Sequence, residues 1–180
     1  MNISNFLFIL LFSNILIGCN QYTDKTKHNK HEYKNNDFAT IRTIHGNIII
    51  KFFNEKAPNT VKRIQSLIKH EFYNGLTFHR VVPGSIIQAG KSNNINRNNK
   101  SIKAEINNLK HELGTISMAH YKNNLDSADS QFFISLKELP HLNGKYTIFG
   151  KIVNGLEILS KVRKGDKILS ISLSPNYSSK

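Results

Sequence analysis

A chain of 180 residues has length for one compact domain and some additional chain, but not for two full domains. A single cysteine excludes an intrachain disulfide framework and a multi-cysteine metal site, while 11 Phe and 6 Tyr, with many Ile and Leu, suffice for one core. The formal charge of +13 points towards an anionic partner or surface without naming it, and much of it is Lys set among Asn and Ile, so it is a weak functional signal.

Phe6 to Ile17 form an almost unbroken apolar run. It is shorter than the roughly 20 residues of a membrane-spanning helix and suits the hydrophobic region of a signal peptide. The run stops at Leu16-Ile17-Gly18-Cys19, which resembles a bacterial lipoprotein signal, although Met1 to Asn5 lack the usual Lys or Arg. The expectation is cleavage after Gly18 and lipidation of Cys19; the competing reading is a buried N-terminal element with an inert thiol. Removing residues 1–18 leaves the charge at +13, since they contain no charged side chain. Residues 19–36 are then a polar tether, whose stretch from Asn20 carries four Lys against one Asp and one Glu and shows no apolar periodicity.

From residue 37 the texture changes. Ala39–Ile44 and Ile48–Phe52 are β-rich runs joined by His45-Gly46-Asn47, a hairpin signal. Pro58 sits where a helix can start, and Val61, Ile64, Leu67 and Ile68 recur at helical spacing. Leu76–Val82 and Ile86–Gln88 flank Pro83-Gly84, a second strand–turn–strand pattern. Lys91–Lys103 is Asn-rich, basic and unpatterned, and reads as a long loop. Further strands are expected at Gly114–Ala119, Gln131–Ser135, Tyr146–Ile152 and Ile168–Leu173, with a short helix at Gly155–Val162. Many short strands and two helices predict a mostly β fold: a closed antiparallel eight-stranded barrel capped by the two helices. That domain spans residues 37–175 and leaves 176–180 as a tail.

Several spaced blocks carry a resemblance. Phe78-His79-Arg80-Val81-Val82-Pro83-Gly84 followed by Gln88-Ala89-Gly90, then Ser130-Gln131-Phe132-Phe133-Ile134, then Leu142-Asn143-Gly144-Lys145 leading into Phe149-Gly150, resemble the cyclophilin family in content and order. Ala57-Pro58-Asn59-Thr60-Val61 and Phe72-Tyr73-Asn74-Gly75 fit as well. The resemblance covers about residues 38–173 and is nearest to short-looped bacterial members.

It implies peptidyl-prolyl cis–trans isomerase activity with no cofactor, metal or nucleophile. Rotation about an X–Pro bond faces a barrier of about 20 kcal/mol set by amide resonance. At the twisted transition state the resonance is lost and the proline nitrogen becomes a better hydrogen-bond acceptor. A fixed cation donating to that nitrogen then binds the twisted state better than the planar one. The resemblance makes Arg80 that catalytic cation, against the usual fate of a lone strand arginine as a surface residue. It implies a proline pocket of Ile86, Phe133 and Leu142, with His141 and Tyr146 beside it. It makes Gln88 the support for Arg80, and Ala119, His120 and Gln131 the border of the neighbouring peptide groove. Phe132 and Phe133 are adjacent and in a strand face opposite ways, so one can be core and the other pocket.

Three positions depart from the pattern: Ser85 stands where the family often has a pocket phenylalanine, His141 where many eukaryotic members have a tryptophan, and Tyr146 where a histidine is usual. The expected partners are proline-containing unfolded or exported polypeptides and, through Cys19, a membrane. The expected place is the bacterial cell envelope with the domain facing the periplasm or exterior, as a monomer. A catalytically weak peptide-binding or chaperone module is the alternative. Nucleic acid is not an expected partner, because Lys91–Lys103 and Lys161–Lys167 lack interleaved aromatics.

Overall fold

A computed structural model describes residues 36–92, 101–174 and 176–177. The expected signal peptide, Cys19 and the tether up to residue 35 lie outside the described residues, as do 93–100 of the Asn-rich loop. Eight strands follow in chain order: β1 Phe38–Thr43, β2 Gly46–Phe52, β3 Arg80–Val82, β4 Ile86–Ala89, β5 Thr115–Met118, β6 Phe132–Ser135, β7 Ile148–Asn154 and β8 Ile168–Ser174. Two helices accompany them, α1 Pro58–Lys69 and α2 Leu156–Leu159. All ladders are antiparallel, in the spatial order β3-β4-β6-β5-β7-β2-β1-β8.

The order corrects the expected closed barrel: the sheet is an open half-barrel whose end strands, β3 and β8, share no ladder. The reason lies in Leu76–Val82, which does not run as one strand. Its first part meets the chain before β8 through a single bridge, Thr77 to Lys167, with the Ile168 amide donating to the Leu76 carbonyl (2.8 Å) and the Phe78 amide to that of Asp166 (2.9 Å). Beyond Phe78 the partner chain turns away at Gly165, and only Arg80–Val82 forms a ladder, with β4. Asp166 also anchors this seam by pairing with His45 of the β1–β2 turn at 2.8 Å and accepting the Arg163 amide at 2.8 Å. The Arg163 amide first, and His45 second, hold its carboxyl below the ordinary range.

The core follows from alternation. Ala39, Ile41, Ile48, Ile50 and Phe52 face inward from β1 and β2. The central strands β5 and β6 are buried on both faces, consistent with their near-continuous apolar texture. Helix α2 spans one turn rather than the expected Gly155–Val162: left-handed Gly155 (φ +87°) lies outside its start, and the chain passes into a turn at Ser160; Ile158 and Leu159 still enter the core.

Helix α1 begins at Pro58, whose missing N–H is no loss at that position. Its own N-cap residue, Ala57, supplies no side-chain acceptor. Glu105, 46 residues beyond Asn59, replaces it: one carboxylate oxygen accepts from the Asn59 amide at 3.0 Å, and the other from the Thr60 amide at 2.8 Å. A carboxylate there satisfies two orphan donors and complements the helix dipole. Burial raises the Glu105 carboxyl, but hydrogen bonds from Thr60 and Asn59 outweigh it and leave it below its ordinary value. Burying Val61, Ile64, Leu67 and Ile68, at about 1.5–3 kcal/mol each, exceeds the cap's contribution of about 1 kcal/mol, so packing sustains the helix and the cap trims its end.

Gly90 follows β4 at φ +88°, and a Cβ there would stand 2.3 Å from the Ser130 carbonyl oxygen. Gly90→Ala should therefore destabilise by more than about 1 kcal/mol in urea unfolding; an unchanged midpoint would contradict the close approach. Glu105→Ala should cost about 1 kcal/mol at neutral pH. Because the folded-state carboxyl titrates low, its stabilisation is present above the ordinary carboxylate range and is lost as pH falls through the folded value. The difference between wild type and variant should accordingly shrink in acid, and a pH-independent difference would refute the carboxylate cap.

Candidate active site

Register across three strands builds the site. Arg80 opposes Gln88 in the β3–β4 ladder, and Gln88 opposes Phe133 in the β4–β6 ladder. Paired residues share a face, so Arg80, Gln88 and Phe133 form one row across the sheet. Two residues along, Val82 opposes Ile86 and Ile86 opposes Ser135, adding Val82 and Ile86 to the same face. The turn Pro83-Gly84-Ser85 holds this register, with Gly84 at φ +63° and the Ser85 amide donating to the Val82 carbonyl at 3.0 Å. Ile87 and Ala89 point the other way, into the core.

Phe132 and Phe133 divide as the pleat requires. Phe132 belongs to the core and meets Tyr73 edge-on at 5.6 Å. Phe133 stands on the row with Arg80, packed edge-on against Tyr146 (5.2 Å, 87°) and backed by the parallel ring of His111 (5.8 Å, 8°). His111 is fully buried, and both its amide and its Nδ1 lie on the Asn143 side-chain oxygen, at 2.8 and 3.1 Å. Burial, with His141 in the same direction, lowers its imidazole against the Asn143 hydrogen bond and keeps it neutral. Sequence reasoning gave His111 no role, since it sits in an unpatterned loop where nothing signals its place behind Phe133.

A cavity of about 340 Å³ opens over this row. Arg80, Ile86, Gln88, Ala119, His120, Phe133, His141, Leu142 and Tyr146 all line it, together with Val82 and Ser85. Leu142 and His141 arrive on the one-turn 3-10 helix Pro140–Leu142, pinned by the buried Leu139. Gln131, the remaining expected residue, lines an adjoining cavity of about 370 Å³ that shares Gln88, Ala119 and His120 with the first. The structure thus brings together every residue expected at the site. It adds Lys91, Tyr121 and Asp129 on the second cavity, which the sequence did not single out because they lie in loops without periodicity. Asp129 is paired with Arg63 of α1.

Arg80 is exposed, with its Nη1 donating to Gln88 Oε1 at 3.4 Å, and Gln88 Nε2 donates in turn to Gln131 Oε1 at 3.1 Å. One guanidinium nitrogen is engaged with Gln88, and the fork of this cavity-lining residue carries further donors. His79 is half-buried, with Nδ1 lacking a hydrogen-bond partner among the described residues. Burial, with the nearby charges of Lys91 and Arg80, lowers its imidazole, against a hydrogen bond that the ring donates to Gln131. Tyr146 lies between Phe133 and His120, stacked on the latter at 4.5 Å and 27°. An apolar floor, an oriented cation at its edge and an open side suit a small ring held within an extended chain.

Comparison with known proteins agrees with this chemistry. The family model for cyclophilin type peptidyl-prolyl cis-trans isomerases matches residues 38–174. A peptidyl-prolyl cis-trans isomerase of Helicobacter pylori is 42% identical over 145 residues, covering 77% of this chain and 88% of its own. Peptidyl-prolyl cis-trans isomerase B of Bacillus subtilis is 42% identical over 123 residues, covering 66% and 85%. Among solved structures, a Cryptosporidium parvum cyclophilin type peptidyl-prolyl cis-trans isomerase, crystallised in the presence of the dipeptide Ala-Pro, superposes with a TM-score of 0.69 at 28% identity, covering 77% of this chain and 99% of that one. With the family match running from the first residue of β1 to the last of β8, the chain belongs to the cyclophilin-type peptidyl-prolyl cis-trans isomerases, enzymes that act on proline-containing polypeptides.

Proposed function

We propose that the chain accelerates X–Pro isomerisation in exported polypeptides by donating a hydrogen bond from Arg80 to the proline nitrogen of the twisted amide. The observation that carries this reading is the position of the guanidinium at the cavity edge, oriented by Gln88 yet with donors to spare. In the planar amide the nitrogen lone pair is delocalised and accepts poorly; at the twisted geometry it accepts well, so Arg80 favours the transition state over both ground states. Phe133, Ile86 and Leu142 hold the proline ring while His141 and Tyr146 flank it, and Gln88, Ala119, His120 and Gln131 border the peptide on either side. Each tenfold of rate corresponds to about 1.4 kcal/mol, within what one preorganised charge-assisted donor supplies.

The setting is the cell envelope. Lipidation at Cys19 would tie the domain to a membrane through the tether of residues 19–36, leaving it free as a monomer to meet clients there. The support is the sequence alone: an apolar run ending at Gly18-Cys19, followed by a polar stretch. Ser85 favours the second reading, a peptide-holding module of low turnover, because it places a small hydroxyl side chain on the proline cavity.

Arg80→Ala should lower kcat/KM for a proline peptide about 100-fold or more with an unchanged unfolding midpoint, measured by a coupled isomerisation assay. Unaltered catalysis in that variant would sink the mechanism. Ser85→Phe adds apolar surface to the cavity and should lower KM for the same peptide several-fold, on the order of 25 cal/mol per Å² newly buried. A wild type that binds the peptide saturably without any rate enhancement would decide for the module.

A further inference from the structure

His120 makes two contacts that a neutral imidazole cannot satisfy together. Its Nδ1 lies 2.9 Å from the Tyr121 carbonyl oxygen, and its Nε2 lies 3.0 Å from the Lys145 carbonyl oxygen. Neutral imidazole has one N–H and one lone pair, so one of these contacts would set lone pair against lone pair; imidazolium donates to both. The ring also stacks on Tyr146 at 4.5 Å and 27°, and an aromatic face attracts a cation.

We infer that His120 is a positioning residue: as imidazolium it clamps the Ala119–Tyr121 segment to Lys145–Tyr146, and so sets the wall shared by the two substrate cavities. The two tied segments approach the site from different parts of the chain. Ala119–Tyr121 follows β5, and Lys145–Tyr146 precedes β7. Tyr146 in turn rests edge-on against Phe133, so the clamp reaches the floor of the proline cavity through one aromatic contact. Loss of a proton from His120 removes one of the two donors and leaves two acceptors facing each other, which loosens Tyr146 over Phe133 and weakens the hold on substrate.

The charged and titratable groups around the ring are few. Arg80 and His141 face it across the first cavity, Lys91 and Asp129 across the second, and Tyr121, Lys145 and Tyr146 belong to the clamped segments themselves. The cations oppose a charged ring, whereas Asp129 is already paired with Arg63. None of these side chains has a hydrogen bond to the imidazole among the described residues; its direct partners are the two carbonyls. Burial lowers the imidazoles of both His79 and His111. His141 is exposed on the same cavity, so its substitution separates its contribution from that of His120.

This inference rests on the cavity being the substrate site, as proposed above, and its test separates the two. In the full-length chain, nitrogen NMR of the histidine rings at about pH 6 should show both nitrogens of His120 protonated; a neutral-tautomer pattern overturns the clamp. KM for a proline peptide should rise about three- to tenfold as pH increases through the imidazole range, roughly pH 5.5 to 8.5, with kcat little changed. The rise should persist in His141→Ala and disappear in His120→Ala, whose KM should be high throughout. His120→Arg, permanently charged and able to donate to both carbonyls, should keep KM low and flat. A wild-type KM independent of pH overturns the inference whatever Arg80→Ala does to catalysis, and Arg80→Ala tests the cavity reading alone.

Discussion

The register between β3 and β4 is the constraint on which the site depends. Arg80 lies opposite Gln88, and Gln88 lies opposite Phe133, so donor, orienting amide and apolar floor occupy one row of the same face. A slip of β3 by one residue would turn Arg80 towards the core, where the guanidinium would be desolvated. The short turn at Pro83-Gly84-Ser85 prevents that slip locally, and the buried pair Ile87 and Ala89 prevents it globally. The geometry of the cavity row and core packing are thus two consequences of one alternation.

Around that row the molecule separates stiff from adjustable parts. The floor is rigid: Phe133 is packed between the buried His111 and the edge of Tyr146, and its strand lies between two others. The rim is made of irregular chain at Ala119–Tyr121, Pro140–Leu142 and Lys145–Tyr146. Its shape is held by local backbone hydrogen bonds, such as Leu142 to Leu139 and Lys145 to Leu142, and by the contacts of His120 to two carbonyls. The proposed chemistry, one fixed donor beside a bound peptide, fits such a division.

Much of this was legible in the sequence. Alternation in Ile48–Phe52 and helical spacing in Val61–Ile68 identify β2 and α1 because each reports directly on one buried face. The spaced blocks around Arg80, Gln131 and Leu142 brought every expected site residue to the two adjoining cavities. Closure of the barrel was misread, since the β texture of Leu76–Val82 does not reveal that its pairing partner turns away at Gly165. The role of His111 and the double contact of His120 were hidden for a different reason. Both depend on side chains meeting residues from 25 to 32 positions away, in loops where no periodicity exists to be read.

The cap of α1 has a further consequence, for the order in which the chain acquires structure. Glu105 reaches Asn59 and Thr60 across about 45 residues, and no side chain at Ala57 substitutes for it. A 12-residue helix is marginal in isolation. Its first turn is capped only once a distant loop has docked, so the start of the helix is tied to long-range structure. A peptidyl-prolyl isomerase is thus itself a fold in which the start of a local element depends on a remote one.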